Sequence, residues 1–340
     1  MTLRLDQRWS LNGIPVVVIS NRLLKVVVVP ELGGKILQVS THRDGRDLLW
    51  ENPRLTLRRV PFGANYDDVF FGGWDELFPN DLAEEIAGET YPDHGELWAS
   101  PWRCVECSVD DGSARVVLEL DTPISQCRLR KTVVLAEDSN AVQVTWRLRN
   151  DGYRNLPYLW KQHLAVPVSA PARLDLPASS MYVEDFGSPR AGKAGTTYTW
   201  PFLTDGTGRR HDMRLTMPPG SHVAEFQYAT DLADGWCAVT YGDGTGVGMA
   251  FDRRQFGCCW TFASYGGWRG AEVLVLEPCT GYPVSVAHGV AQGTHRVLRA
   301  GEVIEATASL VAYDGMSEVT GVGLDGEVSG IAFQGSESVS

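Results

Sequence analysis

The feature that most constrains the fold of this chain is a series of short runs that are apolar or that alternate apolar with polar residues. Gly and Pro interrupt these runs at close intervals. Examples are IPVVVIS, ARVVLEL, AVQVTWRLRN and AEVLVLEP, and Gly and Pro contribute 36 and 18 of the 340 residues. Alternation of apolar and polar side chains is the period of a half-buried strand, and long stretches with a helical period are missing. The pattern predicts an all-β protein of many antiparallel strands, with helix only in a short piece near residues 81–88, DLAEEIAG.

The runs continue along the chain without an obvious linker. The Gly-rich segments 187–197 and 203–212 are typical of surface loops rather than of a domain boundary. A β-propeller would show a repeat of roughly 40–50 residues, and none is found. We therefore expect one large antiparallel β-sandwich domain over residues 1–334, followed by a frayed polar tail at 335–340.

Charge and targeting signals narrow the class of protein. The net charge of −12 argues against a nucleic-acid surface. The start of the chain lacks the apolar segment of a secretory signal, and the apolar runs at 16–20 and 26–30 are too short to cross a membrane. The seven cysteines predict reduced thiols in a cytoplasmic protein. The one C-x-x-C pair, Cys104 and Cys107, is interpreted as two strand residues on opposite faces rather than as a redox or metal pair.

Two glycine-containing patches carry polar residues that a strand does not require. In FFGGWDELFPN, a glycine pair precedes Trp74, Asp75 and Glu76, and YPDHGELW contains His94 beside a glycine. The structural interpretation is a β-bulge with an aromatic ring packed on it in the first patch, and a turn histidine in the second. The functional interpretation is that these side chains contact a ligand.

Two predicted strands contain further candidate functional residues. In YLWKQHLAVPV, strand alternation places Lys161 and His163 on one face, and Trp160 and Gln162 on the other. Glu277 ends the apolar run VLVL, where an ionised carboxylate is costly unless it is paired or opens on a cleft. A half-buried structural histidine and a carboxylate at an exposed strand end are the alternatives without a function.

Together these residue types suit a sugar. Aromatic rings cover the apolar C–H face of a pyranose, and charged or amide groups bind its hydroxyls. A Glu and a His can take a proton from one oxygen and give one to another. No serine nucleophile elbow, P-loop or dinucleotide glycine fingerprint occurs, and GDGTGVG lies between strands without a following helix.

The order of these motifs resembles the aldose 1-epimerase (galactose mutarotase-like) superfamily. The opening VVVVPELGGKILQVSTHRDGRDLLW (26–50) and the closing LRAGEVIEATASLVAY (298–313) also resemble that family, so the likeness covers roughly residues 15–315. It implies a β-supersandwich with a sugar in an open cleft, Glu277 as the general base and His163 as the general acid, with no cofactor or metal. The side chains expected to contact the sugar are His94, Trp74, Asp75, Glu76, Lys161, Gln162 and Asp231, the last as a candidate for the family's substrate-binding Asp.

The chain resembles a divergent branch. The GG…FP segment is similar to hexose-6-phosphate 1-epimerases, but that branch follows its His-Gly with Phe-Ala-Arg, and this chain has Glu96, Leu97 and Trp98. Because an acid stands near the place of the phosphate-binding arginine, a neutral sugar is expected in preference to a phosphosugar.

The expected reaction is the interconversion of the anomers of a free aldose. Glu277 takes the proton of the anomeric hydroxyl, protonated His163 donates to the ring oxygen, and the opened ring closes to the other anomer. One alternative is a sugar-binding protein without turnover, since a fold does not dictate a function. Another is glycoside hydrolysis or lyase chemistry, in which Asp75 or Glu76 would partner Glu277. The protein is expected to be a monomer or a homodimer.

Overall fold

The computed structural model describes residues 3–110, 112–169 and 171–334. Within these ranges the chain forms 27 strands, one α-helix and one 3-10 turn. The first strands in chain order are β1 (Arg4–Leu11), β2 (Ile14–Ser20), β3 (Leu24–Val29), β4 (Lys35–Thr41), β5 (Trp74–Leu77), β6 (Glu84–Ile86), β7 (Glu89–Tyr91), β8 (Arg103–Asp110), β9 (Ser113–Asp121), β10 (Cys127–Ala136), β11 (Ala141–Asn150), β12 (Leu156–Tyr158), β13 (Lys161–Pro167) and β14 (Ala172–Asp175). The remaining strands are β15 (Ala178–Val183), β16 (Thr197–Thr199), β17 (Phe202–Thr204), β18 (Arg210–Asp212), β19 (Val223–Leu232), β20 (Trp236–Tyr241), β21 (Gly246–Phe251), β22 (Cys258–Tyr265), β23 (Glu272–Cys279), β24 (Arg296–Leu298), β25 (Val303–Tyr313), β26 (Met316–Val322) and β27 (Val328–Ala332). The helix is α1 (Val286–Gln292), and the 3-10 turn covers Asp67–Val69. The predicted frayed tail at 335–340 lies outside the described residues.

Most strands belong to two large antiparallel sheets. The larger has eleven strands in the order β1-β2-β3-β4-β5-β13-β23-β22-β19-β15-β16, and the smaller has eight in the order β14-β20-β21-β25-β11-β10-β9-β8. Four two-stranded ribbons complete the described structure. The prediction of an all-β, antiparallel sandwich is confirmed; its extent as one domain stays a prediction.

The helix predicted near residues 81–88 is wrong. Strands β6 and β7 form a hairpin there, with Ile86 opposite Glu89 and Ala87 and Gly88 as the turn. Both turn residues have a positive φ, 54° and 87°, which is the conformation of a two-residue hairpin turn whose twist matches the strands. The helical segment of the described chain is α1, whose N-terminus is capped by the Ser285 side chain.

The two sheets pack face to face around tryptophans. Trp146 lies between Trp74 and Trp160, with ring centroids 6.0 Å away on each side. Lys131 of the smaller sheet reaches across the interior, and its Nζ lies 2.5 Å from Oε1 of Glu76 in the larger sheet. Both charged side chains are fully buried, so the ion pair is part of the sandwich interior.

A second cluster covers the outer face of the eleven-stranded sheet. Loops before and after β5 contribute Trp50, Tyr66, Phe70 and Trp98, which pack over strand residues such as Val275. The outer face is therefore enclosed at its centre. This cover forms one wall of the cavity described below.

The glycine pair before β5 is required by close backbone contacts. A Cβ on Gly72 would lie 2.0 Å from the Trp50 carbonyl oxygen, and one on Gly73 would lie 2.8 Å from that of Ile36. Both residues also have positive φ, 88° and 81°. The pair lets the chain enter β5 directly beneath the covering loop, which places Asp75 on the cavity side.

The interpretation of the C-x-x-C pair is corrected. A register shift between Cys104 and Glu106 in β8 turns both cysteines to the same side, and their sulfur atoms lie 2.9 Å apart. All seven cysteines are free thiols. Among residues 3–110, 112–169 and 171–334, no helix combines the length and apolar character needed to span a bilayer.

Candidate active site

The register of three central strands assembles the candidate catalytic residues. His163 on β13 lies opposite Asp75 on β5. On its other side, Lys161 pairs with Cys279 and Leu164 with Leu276 of β23, so His163 falls level with Glu277. Residues opposite each other in an antiparallel pair project on the same face. Asp75, His163 and Glu277 therefore form a row across the outer face of the sheet.

A cavity of about 360 Å³ opens above this row. That volume lies in the range typical of small-ligand sites. Four predicted residues line it together: His94, Lys161, His163 and Glu277. Its other lining residues are Tyr66, Asp67, Phe70, Asp81, Leu82, Asp93, Glu184, Asp185, Phe186, Phe226, Phe262, Trp268, Val275 and Val284.

Lys161 joins two carboxylates at the floor of the cavity. Its Nζ lies 2.5 Å from Oε2 of Glu277 and 2.5 Å from Oδ1 of Asp81, and all three side chains are at most 7% exposed. Burial by itself would lower the pKa of Lys161, but the two carboxylates raise it well above its ordinary value. Burial raises the pKa of Glu277, and the Lys161 ammonium opposes that rise. The ammonium thus keeps a buried carboxylate available as a proton acceptor.

His163 is held from behind by a chain of polar side chains. Its Nδ1 lies 3.1 Å from the Tyr66 hydroxyl, which donates to Oδ2 of Asp75 at 2.8 Å. The Lys35 ammonium lies 2.8 Å from the same Asp75 oxygen. Burial, followed by the nearby charge of Lys161, lowers the pKa of His163 well below its ordinary value. The imidazole of the free protein is therefore predominantly neutral near pH 7, so the protonated His163 expected in the reaction is its minor form.

His94 is the more basic of the two cavity histidines. It has a φ of 58° and precedes a glycine, so the chain turns back and presents the ring to the cavity. Its Nδ1 lies 3.0 Å from Asp93, its Nε2 lies 3.6 Å from Asp81, and its ring stacks on Tyr66 at 4.3 Å. Burial opposes protonation, but Asp81 and Asp93 raise the pKa of His94 above its ordinary value.

One side of the cavity is apolar and aromatic. Val275 lies two residues before Glu277 on the same face, and it pairs with Phe262, which in turn pairs with Phe226. Phe186 packs against both phenylalanine rings, and Trp268 contacts the ring of Phe262 edge-on at 5.4 Å. A polar floor beside an aromatic wall matches the amphipathic surface of a sugar ring.

Three residues predicted to contact the sugar face the sandwich interior instead of the cavity. Trp74, Glu76 and Gln162 lie on the inner face of the sheet, where the Trp74 indole nitrogen donates to Gln162 at 2.9 Å and Glu76 pairs with Lys131. Their expected contact with a sugar is therefore corrected, because strand alternation turns them into the sandwich interior.

Other predicted positions are also revised. Asp75 lies on the correct face but behind Tyr66 and His163, so it is not a lining residue. Asp231 is exposed at the end of β19 and does not line the cavity. Glu96 is buried and accepts from the backbone of Ile124 and Ser125, and Leu97 is in the core, so neither faces a ligand.

Sequence reasoning missed Tyr66, Asp81 and Asp93. Asp93 adjoins His94, so its position beside a candidate histidine was a usable signal. Asp81 follows the FPN segment, and Tyr66 lies in the loop segment GANYDDVF. Neither residue lies in a segment with the alternating pattern of a strand, and only the folding of the loops brings them to the cavity.

Superposition on solved structures shows that the two packed antiparallel sheets have a galactose mutarotase-like β-sandwich fold. A candidate aldose 1-epimerase from Klebsiella pneumoniae superposes with a TM-score of 0.72 at 16% identity, covering 92% of this chain and 83% of that one. A galactose mutarotase-like protein from Clostridium acetobutylicum gives a TM-score of 0.68 at 12% identity, covering 92% and 99%. A candidate aldose 1-epimerase from Escherichia coli K12 gives 0.64 at 20% identity, covering 88% and 99%.

These similarities establish a shared fold. No family model matches the sequence, and no curated protein matches it significantly. The function must therefore be argued from the residues of the cavity.

Proposed function

We propose that the protein is an aldose 1-epimerase that interconverts the anomers of a free, uncharged sugar. The observation that carries this proposal is the placement of Glu277 and His163 on adjacent strands, level with each other, at the floor of a half-aromatic cavity. A carboxylate and an imidazole on neighbouring strands can reach two oxygens attached to the same carbon. In a pyranose, the anomeric carbon carries both the O1 hydroxyl and the ring oxygen O5.

The proposed chemistry is a pair of proton transfers. Glu277 accepts the proton of O1 while His163 donates one to O5, and the C1–O5 bond breaks to give the open-chain aldehyde. Rotation about the C1–C2 bond presents the other face of the carbonyl. The O5 hydroxyl then attacks C1 while His163 takes the proton back from O5 and Glu277 gives its proton to the carbonyl oxygen O1, which yields the other anomer.

The active protonation state has Glu277 ionised and His163 protonated. The surroundings of His163 disfavour its proton, so this state is a minor one in the free enzyme at neutral pH. The same surroundings make a protonated His163 a strong acid, which favours donation to a weakly basic ring oxygen.

The acidic lining supports a substrate without negative charge. Six carboxylates line the cavity (Asp67, Asp81, Asp93, Glu184, Asp185 and Glu277), and Lys161 is the one Lys or Arg among the described lining residues. Its ammonium is already engaged by two of them. A sugar phosphate would enter this cavity without a free cation to pair with its charge.

Anomerisation of freshly dissolved aldoses tests the proposal directly. A panel of neutral hexoses and pentoses is followed by polarimetry, and exchange between anomers at equilibrium is measured by NMR. The proposal expects accelerated exchange for at least one sugar, and loss of that acceleration in Glu277→Gln. Sugar binding measured by calorimetry without accelerated exchange would instead establish a binding protein.

Glycoside hydrolysis is a second candidate because Asp81 and Glu277 approach the same ammonium. Retaining glycosidases place two carboxyl groups about 5 Å apart, and these two residues each lie 2.5 Å from Lys161. That ammonium stabilises both carboxylates as anions, whereas hydrolysis needs one of them protonated. Release of reducing ends from aryl and alkyl glycosides, measured with the same protein, separates the two activities.

A further inference from the structure

We propose that Tyr66 is a positioning residue that fixes the tautomer of His163, so that a proton enters and leaves this imidazole only at Nε2. Four buried side chains contact one another in the order Lys35–Asp75–Tyr66–His163, and the Tyr66 hydroxyl links the carboxylate to the imidazole. Its consequence for catalysis rests on the proposed function, but the tautomer itself does not.

The direction of each hydrogen bond follows from the charges at the far end of the chain. Asp75 is buried, and its Oδ2 lies 2.8 Å from the Lys35 ammonium, so the carboxylate is ionised and can only accept. The Tyr66 hydroxyl lies 2.8 Å from the same oxygen and must direct its single proton there. Its oxygen is then an acceptor toward His163, 3.1 Å away, so Nδ1 carries a hydrogen.

The phenol itself does not titrate in the working range. Burial, followed by the charge of Asp75, raises the pKa of Tyr66 well above its ordinary value. The chain therefore keeps one orientation. A neutral His163 has a bare Nε2, and a protonated His163 donates from Nε2 while Nδ1–H stays on Tyr66.

Tyr66 is held rigidly enough to impose this geometry. Its backbone N–H donates to Oδ2 of Asp93 at 2.8 Å, and its ring stacks on His94 and meets Trp98 edge-on at 4.9 Å. Among residues 3–110, 112–169 and 171–334, Tyr66 is the one side chain hydrogen-bonded to the His163 ring. One phenol thus contacts both cavity histidines, stacking on one and accepting from the other.

The charged neighbours of His163 come from every surrounding element. Lys35 lies on β4, Asp75 on β5, Lys161 on β13 itself and Glu277 on β23, and His94 is on the loop that follows β7. The cations disfavour an imidazolium, whereas Asp75 acts through Tyr66 to support it. Loss of the phenol hydroxyl should therefore make His163 harder to protonate as well as misorienting its hydrogen.

The test is the tautomer of His163, read by long-range ¹H–¹⁵N correlation NMR of the full chain. His163→Gln assigns the signal by its disappearance, and Tyr66→Phe removes the hydroxyl while keeping the stacking ring. Tyr313→Phe is the matched control, because it deletes a partly buried phenol hydroxyl bonded to Thr240 at 2.8 Å, outside the cavity. We expect Nδ1–H in the wild type and in the control, and a shift toward Nε2–H in Tyr66→Phe.

Kinetics give the second readout. Tyr66→Phe should lower kcat by about 10²-fold with KM within about 3-fold, because His163 becomes harder to protonate and the Nδ1–H form left after donation from Nε2 loses its partner, whereas no sugar contact is removed. The limb of the pH profile that reports His163 should move to lower pH. Tyr313→Phe should leave both unchanged.

The outcomes separate the two proposals. An Nε2–H tautomer in the wild type overturns the inference, whether or not any sugar is anomerised. An Nδ1–H tautomer retained in folded Tyr66→Phe overturns the role of the phenol. An Nδ1–H tautomer that depends on Tyr66, in a protein that accelerates no anomerisation, supports the inference and removes the proposed function.

Discussion

Lys161 and Glu277 meet across two adjacent strands at 2.5 Å, and each side chain is 2% exposed. Neither strand residue could be buried there as an isolated charge, because removing one partner leaves the other ion without water or a counterion. Lys161 also pairs with Asp81, so one ammonium balances two carboxylates at the cavity floor. Its disruption should affect folding and chemistry together.

Lys161→Met is expected to destabilise the fold by about 3–5 kcal/mol and to lower kcat/KM by at least about 10²-fold. The acid limb of the activity profile should move to higher pH, because Glu277 loses the cation that holds down its pKa. Lys131→Met is the matched control, since it breaks the buried pair with Glu76 in the sandwich interior. Urea unfolding should show destabilisation in both variants, and a pH profile shifted in the control as well would contradict the assigned role of Lys161.

Glu277→Gln and His163→Asn should each lower kcat by roughly 10²–10⁴-fold with little change in KM. The double variant should be only slightly worse than either single one, because residues that transfer protons as a unit are not additive. His94→Asn should raise KM more than it lowers kcat, as for a group that binds the sugar. Steady-state anomerisation rates decide these points, and activity within a few-fold of wild type in folded Glu277→Gln would remove Glu277 as the base.

A neutral aldose should be used in preference to its 6-phosphate, by at least about 10-fold in kcat/KM. The reason is the cavity lining, which contains six carboxylates and one engaged lysine, and not Glu96, which is directed away from the cavity. Competition between the two sugars at low and high salt measures the preference. A preference for the phosphosugar would mean that an arginine outside the lining reaches the substrate.

The two cavity histidines should change acid stability in opposite directions. His163 has a folded pKa below the ordinary 6.5, so its contribution is present above pH 6.5 and is lost as the pH falls toward the folded value. His94 has a raised pKa, so its contribution is present below the ordinary 6.5 and is lost as the pH rises through the folded value. Each effect is at most about 1.4 kcal/mol per pH unit.

Unfolding free energies between about pH 7.5 and about pH 5.5 check this prediction. His163→Gln should lose less stability on acidification than wild type, and His94→Gln should lose more. His42→Gln, on an exposed turn, controls for the chemical change. Equal slopes for the two cavity variants would rule out the opposite shifts.

Local physics determined the all-β class of the fold and four residues of the candidate site. The alternating runs and the density of Gly and Pro specified an all-β fold, because a half-buried strand alternates apolar and polar residues along the sequence. The same alternation placed Lys161 and His163 on one face, and the cavity shows both together. The unusual charge at the end of an apolar run identified Glu277, because a carboxylate there needs a partner or a cleft.

Only the tertiary structure decided which face of each strand met the cavity. Trp74, Asp75 and Glu76 are consecutive, so they cannot all face one way, and the sequence has no mark that distinguishes the inner face from the outer one. The register of β5 against β13 settled it: Asp75 lies opposite His163, and Glu76 turns inward to meet Lys131 from the other sheet. Likewise, Tyr66 and Asp81 come from loops, whose side chains acquire a position only when the chain around them is packed. A period of two residues is a local property, whereas the identity of the partner strand and the path of a covering loop depend on contacts far apart in the chain.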